Sequence, residues 1–284
     1  MKMIIAVSGG IDSVVMLHML HGASEHQLVV AHVDHGIRDN SGEDEQFVRQ
    51  LTQAYGLPYE SLRLELGPHA SEEDARDKRY TWLREIQHKH SAEAIATAHH
   101  QDDVIETMII NMIRGTGWRG LCSLTEHDKT KRPLLAWSKA EVVRYAAEHD
   151  LEWRDDSTND NVRYLRNYVR YRYVQRMSIS ERKKWVRLHE EQMILRENID
   201  SELLLLAGQI GTEGEYSRHW LIMSDQKVVL ELLPYIVGMR LERSVLLQLW
   251  HFICTAKSGK QFHASGLEFR VTARHLIVST SDIC

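Results

Sequence analysis

The sequence predicts an α/β protein, with a parallel-sheet domain followed by a smaller mixed α+β domain. Three observations lead there. Short apolar runs at 3–7 (MIIAV), 28–35 (LVVAHVDH) and 92–100 (AEAIATAHH) alternate with segments of helical pattern, as βαβ units do. The polar segments SGGIDS, HVDHGIR and HHQDD each fall where such a run ends, and parallel sheets take their ligands at the carboxyl ends of the strands. After about residue 175 the alternation stops.

Taken in order, MIIAV is a buried strand bounded by Gly-Gly, and VVMLHMLHG is a helix ended by Gly22. LVVAHVDH is a second strand, followed by the polar loop GIRDNSGED; Glu43 to Tyr55 forms a helix that ends before Gly56-Leu57-Pro58. SLRLEL (61–66) alternates as a third strand would. Ser71 followed by Glu72, Glu73 and Asp74 is a capped helix start, the helix running to about His90. A fourth strand at 92–100 leads into a helix from Asp102 to Arg114. Ser180 to Ala207 reads as one long helix or two, and EFRVTARHLIVS (268–279) as a hairpin. The boundary is placed at 177/178, giving domains 1–177 and 178–284.

Composition narrows the function. No segment approaches the roughly 20 apolar residues of a membrane span, and the initial apolar run is too short for a signal peptide. The three cysteines (Cys122, Cys254, Cys284) are scattered and form no CxxC, so neither a disulfide framework nor a zinc ribbon is indicated. These features read as a cytoplasmic protein with free thiols. Net charge is −5, yet residues 163–187 hold nine Lys/Arg against one acid, interleaved with Tyr164, Tyr168, Tyr171, Tyr173 and Trp185. Such a segment suits phosphates and unstacked bases. An exposed helix with an incidental arginine excess is the plainer alternative.

SGGIDS, between strand and helix, aims backbone N–H groups and a helix N-terminus at an anion. It has neither the lysine of GxxxxGK[ST] nor the spacing of GxGxxG. Asp12 would repel phosphate beside Ser13, so it is assigned to Mg²⁺. In HVDHGIR, His32, Asp34 and His35 have ligand chemistry, but their spacing fits no zinc pattern; a polar turn is the alternative. In HHQDDVIET, a helix turning about 100° per residue brings His99, Asp103 and Glu106 within about 60° of one another if it begins by His99. If it begins at Asp102, only the two acids share the face. They are either a solvated acidic first turn or a pair for a cationic substrate or magnesium. Arg114 ends that helix as a candidate phosphate contact, and Arg76, Arg79 and Tyr80 share one face of the helix before it.

Together these residues resemble the tRNA(Ile)-lysidine synthetases, a family of N-type ATP pyrophosphatases (PP-loop proteins). SGGIDS alone carries only the superfamily. The order SGGIDS, HVDHGIR, ARDKRY, AHHQDDVIET, RGTG, RPLL, DDSTN and RYLRNYVR carries the family through about residue 172, and KSGKQFHASGLEFRV resembles its tRNA-recognition domain less specifically. The resemblance is to the short form, without a second C-terminal domain. It implies an ATP-dependent ligase that joins free L-lysine to C2 of the wobble cytidine in a CAU anticodon. ATP first adenylates O2 of the base; the lysine amine then attacks C2 and expels AMP. Ser8, Gly9, Gly10, Ile11, Asp12 and Ser13 would bind ATP with Mg²⁺, and Asp103 and Glu106 would grip lysine beside His99. Arg114 would meet developing phosphate charge, and Arg76, Arg79, Arg166, Asn167 and Arg170 would meet tRNA(Ile). A homodimer is left open, and no membrane partner is implied. The rival readings are a PP-loop tRNA thiolase, disfavoured by the cysteine spacing, and a non-catalytic RNA-binding relative, disfavoured by the intact loop.

Overall fold

The computed structural model describes residues 1–23, 25–34, 41–64, 72–124, 129–154, 165–212 and 214–280. The GIR of HVDHGIR with His35, the Ser71 cap and the DDSTN turn lie outside the described residues. The chain divides into two compact units, Met1–Gln192 and Met193–Cys284.

The first unit is built on a parallel sheet of order β3-β2-β1-β4-β5, comprising β1 (Lys2–Ala6), β2 (Gln27–Asp34), β3 (Tyr59–Arg63), β4 (Ala94–Ala96) and β5 (Thr130–Lys131). Its helices are α1 (Ile11–Gly22), α2 (Ser41–Ala54), α3 (Glu72–Lys89), α4 (Gln101–Ile113), α5 (Lys139–Glu148) and α6 (Leu165–Arg172). The sheet is covered on both faces, which explains the unbroken apolar runs. Met3, Ile5 and Val7 meet Val15, Met16 and Leu20 of α1 and Val142 and Ala146 of α5. On the other face, Ile4 and Ile95 meet Leu83 and Ile86 of α3. β1 is flanked by β2 on one side and β4 on the other. The connections leaving β1 and β4 therefore diverge, and the crevice between them is the topological switch point of the sheet.

Several boundaries differ from expectation. Gly22 is the last residue of α1, and right-handed Ala23 (φ −67°) caps the helix in its place. β3 starts at Tyr59, because β2 pairs with it from Val30 onward, directly after Pro58 accepts the Val30 N–H at 2.9 Å. β4 is only three residues long; after the Thr97 N–H bonds to Lys131 O at 3.0 Å, the backbone turns away to cap α4.

α7 (Ile179–Ile210) is a single helix of 32 residues. The division between units falls within it, beyond 177/178, because Trp185, Val186 and Leu188 pack with residues of α4. The second unit joins the last part of α7 to α8 (Arg218–Met223), α9 (Gln226–Val237) and α10 (Arg243–Thr255). Its antiparallel sheet has the order β6-β7-β10-β9-β8, from β6 (Gly211–Thr212), β7 (Glu215–Ser217), β8 (Gln261–Ala264), β9 (Leu267–Val271) and β10 (His275–Thr280). The expected hairpin is β9–β10, and Thr272 Oγ1 closes its turn by accepting the His275 N–H at 2.8 Å. Buried Arg218 donates to the carbonyls of Ile253, Thr272 and Ala256. Cys122 is a buried free thiol and Cys254 a half-buried one. Among the described residues no helix is long and apolar enough to cross a membrane.

Candidate active site

The loop after β1 closes on its own hydroxyls. Ser13 Oγ donates to Gly10 O at 2.8 Å and accepts the Ser8 N–H at 3.2 Å, and it lies 3.2 Å from Ser8 Oγ. Gly9 sits at φ +93°, where a Cβ would also come within 3.3 Å of Val48 Cγ2; glycine is the residue that takes this conformation without strain. Gly10 is the N-cap of α1 and contributes no side-chain cap. The positive end of α1 is therefore presented to any anion in the crevice.

Asp12, the acid in this loop, already has a partner. Lys139 Nζ donates to Asp12 Oδ1 at 2.6 Å. Lys139 is the first residue of α5, fixed by the Ser138–Glu141 capping box. Among the described residues no group of three His, Cys, Asp or Glu side chains is placed to hold a metal ion. Mg²⁺ takes one or two carboxylates together with phosphate oxygens and water, and Asp12, at the loop and 30% exposed, is a carboxylate of that kind.

α4 begins at Gln101, so His99 precedes the helix instead of sharing its face. His100 is the N-cap: its Nδ1 accepts the Asp102 N–H at 3.2 Å, and Asp103 Oδ2 accepts the His100 N–H at 3.0 Å. An accepting Nδ1 leaves the proton on Nε2, which faces Asp103 Oδ2 at 3.5 Å and Asp12 Oδ1 at 3.8 Å. His99 Nδ1 lies 3.0 Å from Thr97 Oγ1. Burial pushes the His99 imidazole down to about 3 despite the opposing pull of Asp103, so it is uncharged at neutral pH.

The acids of α4 are met by arginines from later in the chain. Arg170 grips Glu106 with Nε–Oε1 at 2.6 Å and Nη2–Oε2 at 3.1 Å, and its Nη2 lies 3.5 Å from Asp103 Oδ1. Arg166 Nη1 lies 3.7 Å from the same Asp103 oxygen. Asp102 pairs with Arg182, which also donates to Val174 O at 2.6 Å. Burial raises the Glu106 carboxyl above its ordinary range, although Arg170 pulls it down. Burial likewise opposes the charge of Arg170, but the hydrogen bond and charge of Glu106 outweigh it and hold the guanidinium protonated. Asp103 is held below its ordinary range: burial resists ionisation, and His100, His99, a backbone N–H and Arg170 together overcome it.

These groups surround a cavity of about 1520 Å³. Ser8, Gly10, Ile11, Asp12 and Ser13 line one side; His99, Asp103 and Glu106 line another, with Arg79, Lys139 and Arg170. Other expected residues fall elsewhere. Gly9 supports the loop from behind, against Val48. Arg76 lies over the Tyr80 ring at 5.1 Å, outside the cavity lining. Arg166 and buried Asn167 turn inward on α6, so with Arg170 they are not the open basic face expected for RNA. Arg114 is exposed at the C-cap of α4. A rise of about 1.5 Å per residue carries it about 12 Å past Glu106, so it does not join the group. His32 hydrogen-bonds Val7 O at 2.8 Å through Nδ1.

Sequence reasoning missed Lys139, His100 and the Asp102–Arg182 pair. The Ser138-x-x-Glu141 capping box was a readable signal for Lys139 at a helix start. Histidine is not a customary N-cap, and nothing local announced His100.

A parallel sheet with a lysine-free SGGIDS loop at its switch point defines the class as an α/β protein of the nucleotide-binding kind. A family model described as a PP-loop domain matches residues 1–177, and the chain belongs to that family. It is 36% identical over 181 residues to a tRNA(Ile)-lysidine synthase of Thermotoga maritima, covering 60% of this chain and 44% of that protein. Identity is 40% over 177 residues with the enzyme of that name from Bacteroides thetaiotaomicron, covering 60% of this chain and 41% of the relative. With that of Nitrosomonas europaea it is 36% over 236 residues, covering 75% and 51%. The chain thus spans about half the length of these relatives or less. Among solved structures, the U34-tRNA thiolase NcsA from Methanococcus maripaludis is similar in fold, with TM-score 0.55 and 19% identity, covering 68% of this chain and 72% of that one.

Proposed function

We propose that the chain joins free L-lysine to C2 of the wobble cytidine in the CAU anticodon of tRNA(Ile), using ATP and forming lysidine in the cytoplasm. The observation that carries this is the opening of the SGGIDS loop and the acids of α4 onto one cavity, together with the likeness to lysidine synthases over the first unit.

In this reading, cytosine O2 attacks the α-phosphate of ATP and pyrophosphate leaves. The lysine amine then attacks C2, and the C2–O2 bond breaks with loss of AMP. The N-terminus of α1 and the Ser8 and Ser13 hydroxyls hold the phosphates. Asp12, together with the phosphates, would hold Mg²⁺, which would supply charge neutralisation as pyrophosphate departs. Lys139 exchanges Asp12 for a phosphate oxygen, and Asp103 and Glu106 receive the lysine cation. The amine loses a proton before attack, because its pKa is about 10.4 in water. Neutral His99 and ionised Asp103 both line the cavity and are the proposed acceptors.

The thiolase reading is not favoured: Cys122 is the one cysteine of the first unit, and its thiol donates to Gln192 O at 3.3 Å. The test is ATP/pyrophosphate exchange with CAU-anticodon tRNA(Ile), followed by incorporation of radiolabelled lysine. Both activities are expected. Exchange without lysine uptake would overturn the lysidine reading, and absence of tRNA-dependent exchange would leave a binding protein.

A further inference from the structure

We infer that the outer face of α6 and the turn after it form a stacking platform for unpaired bases of the RNA substrate. The inference rests on the tRNA-ligase reading and relocates its RNA contacts. At about 100° per residue, Arg166 and Arg170 share one side of α6, which is turned to the acids of α4. Tyr168 and Arg172 fall on the opposite side. The basic, aromatic run therefore divides in two: one side is turned to the acids of the cavity, and the other faces outward.

That half has the chemistry of single-strand recognition. Tyr168 is 43% exposed and Tyr173 45% exposed. Their ring centroids are 6.1 Å apart at 70°, an edge-to-face contact that leaves the two rings unstacked, with close to half of each side chain open. Arg172 and Arg176 are exposed beside them, and no ion pair is recorded for either among the described residues. Lys183 and Lys184 add exposed charge at the start of α7. Open aromatic faces with uncompensated cations suit bases and phosphates together, a pairing that apolar protein surfaces do not require. The platform also adjoins the cavity: Tyr171 and Gln175, interleaved with these residues, line it. An RNA loop stacked on Tyr168 or Tyr173 thus has a neighbouring base within reach of the site.

The test compares Tyr168→Ala/Tyr173→Ala, Tyr168→Phe/Tyr173→Phe and Arg172→Gln/Arg176→Gln with the unaltered protein. The probes are tRNA(Ile) with the CAU anticodon, its isolated anticodon stem-loop and a fully paired RNA duplex, titrated over a range of salt. The alanine pair is expected to bind tRNA and stem-loop about 10- to 100-fold more weakly, the phenylalanine pair to retain affinity, and duplex binding to change little. The glutamine pair is expected to flatten the salt dependence by about one unit of slope per lost phosphate contact. Circular dichroism confirms folding of each variant. Alanine variants that bind stem-loop as tightly as the unaltered protein, or lose duplex and loop equally, overturn the platform. Lysidine formation by the unaltered protein would then still support the proposed function. Tyrosine-dependent loop binding without any lysine transfer would overturn the function and retain the platform, and a protein that binds no RNA would overturn both.

Discussion

The Arg170–Glu106 pair can be removed from one side, and Arg170→Met does so while keeping most of the stem. Glu106 is fully inaccessible to solvent, and Arg170 makes two hydrogen bonds to its carboxylate, at 2.6 and 3.1 Å. Removing one partner of a buried pair costs about 3–5 kcal/mol, because the other charge is left in the interior. For a unit of this size that is a fall in melting temperature of about 6–20 °C. The variant has an escape, since Glu106 can take up a proton. Burial already raises its carboxyl, and loss of the guanidinium raises it further. A carboxyl whose folded pKa exceeds its unfolded one stabilises the fold below the unfolded value, and that contribution is lost as pH rises through the folded pKa. The deficit relative to the unaltered protein should therefore be greatest near pH 8 and shrink toward pH 5. Urea unfolding followed by tryptophan fluorescence measures it, with Trp185 packed against α4 as a reporter. Adding Glu106→Gln should abolish the pH dependence. A deficit below about 1 kcal/mol, or one equal at both pH values, would refute the reasoning.

Gly9→Ala should cost about 1–3 kcal/mol from backbone strain at φ +93° and weaken ATP binding at least tenfold, as read by calorimetry. His99, held at about 3, should show no imidazole titration by NMR between pH 5 and 9. Its depressed value makes a stability contribution that is present above about 6.5 and lost as pH falls toward 3; His99→Gln should remove that slope. Asp103→Ala should raise the KM for lysine more than that for ATP in the ligation assay; equal changes would mean this carboxylate is misassigned. Arg218→Met leaves one buried and two partly buried carbonyls without their donor and should destabilise the second unit by about 2–4 kcal/mol in thermal unfolding.

The parts of the fold read correctly from sequence are those set by short-range pattern. The apolar runs gave the strands, and the serines and glycines of SGGIDS bond to one another within five residues. The parts that sequence does not show depend on partners distant in it. Arg170 lies 64 residues from Glu106, and Lys139 lies 127 from Asp12. A local reading sees a basic segment and a lone acid, and cannot see that each has been neutralised. Arg114 is a different case. Its distance from Glu106 follows from helix rise alone, and the glycines after it drew attention to its chemistry ahead of its position.

These ion pairs bear on how the cavity is held. α4 places Asp102 and Asp103 in its first turn, where acids favour the helix dipole, and Glu106 in the next. Burying them without cations would cost several kcal/mol each. Arginines supply the cations from α6 and α7, and their planar forks suit carboxylates better than lysine does. Asp12 is held by Lys139, a flexible point charge that is 39% exposed. The two sides of the cavity therefore differ in stiffness. The arginine-clamped side resists rearrangement, because moving Arg170 exposes a buried carboxylate to the interior. The loop side yields at little cost, because Lys139 and Asp12 both reach water and an exposed pair contributes about 0–1 kcal/mol. Anionic phosphate arriving at the loop can thus displace Asp12 from Lys139 without disturbing the wall behind it. A cation arriving at Asp103 and Glu106 must instead compete with two guanidinium groups already in place. Under the proposed function, the site is open to the nucleotide as it stands, whereas it accepts the lysine amine only against the charges that stabilise its own fold.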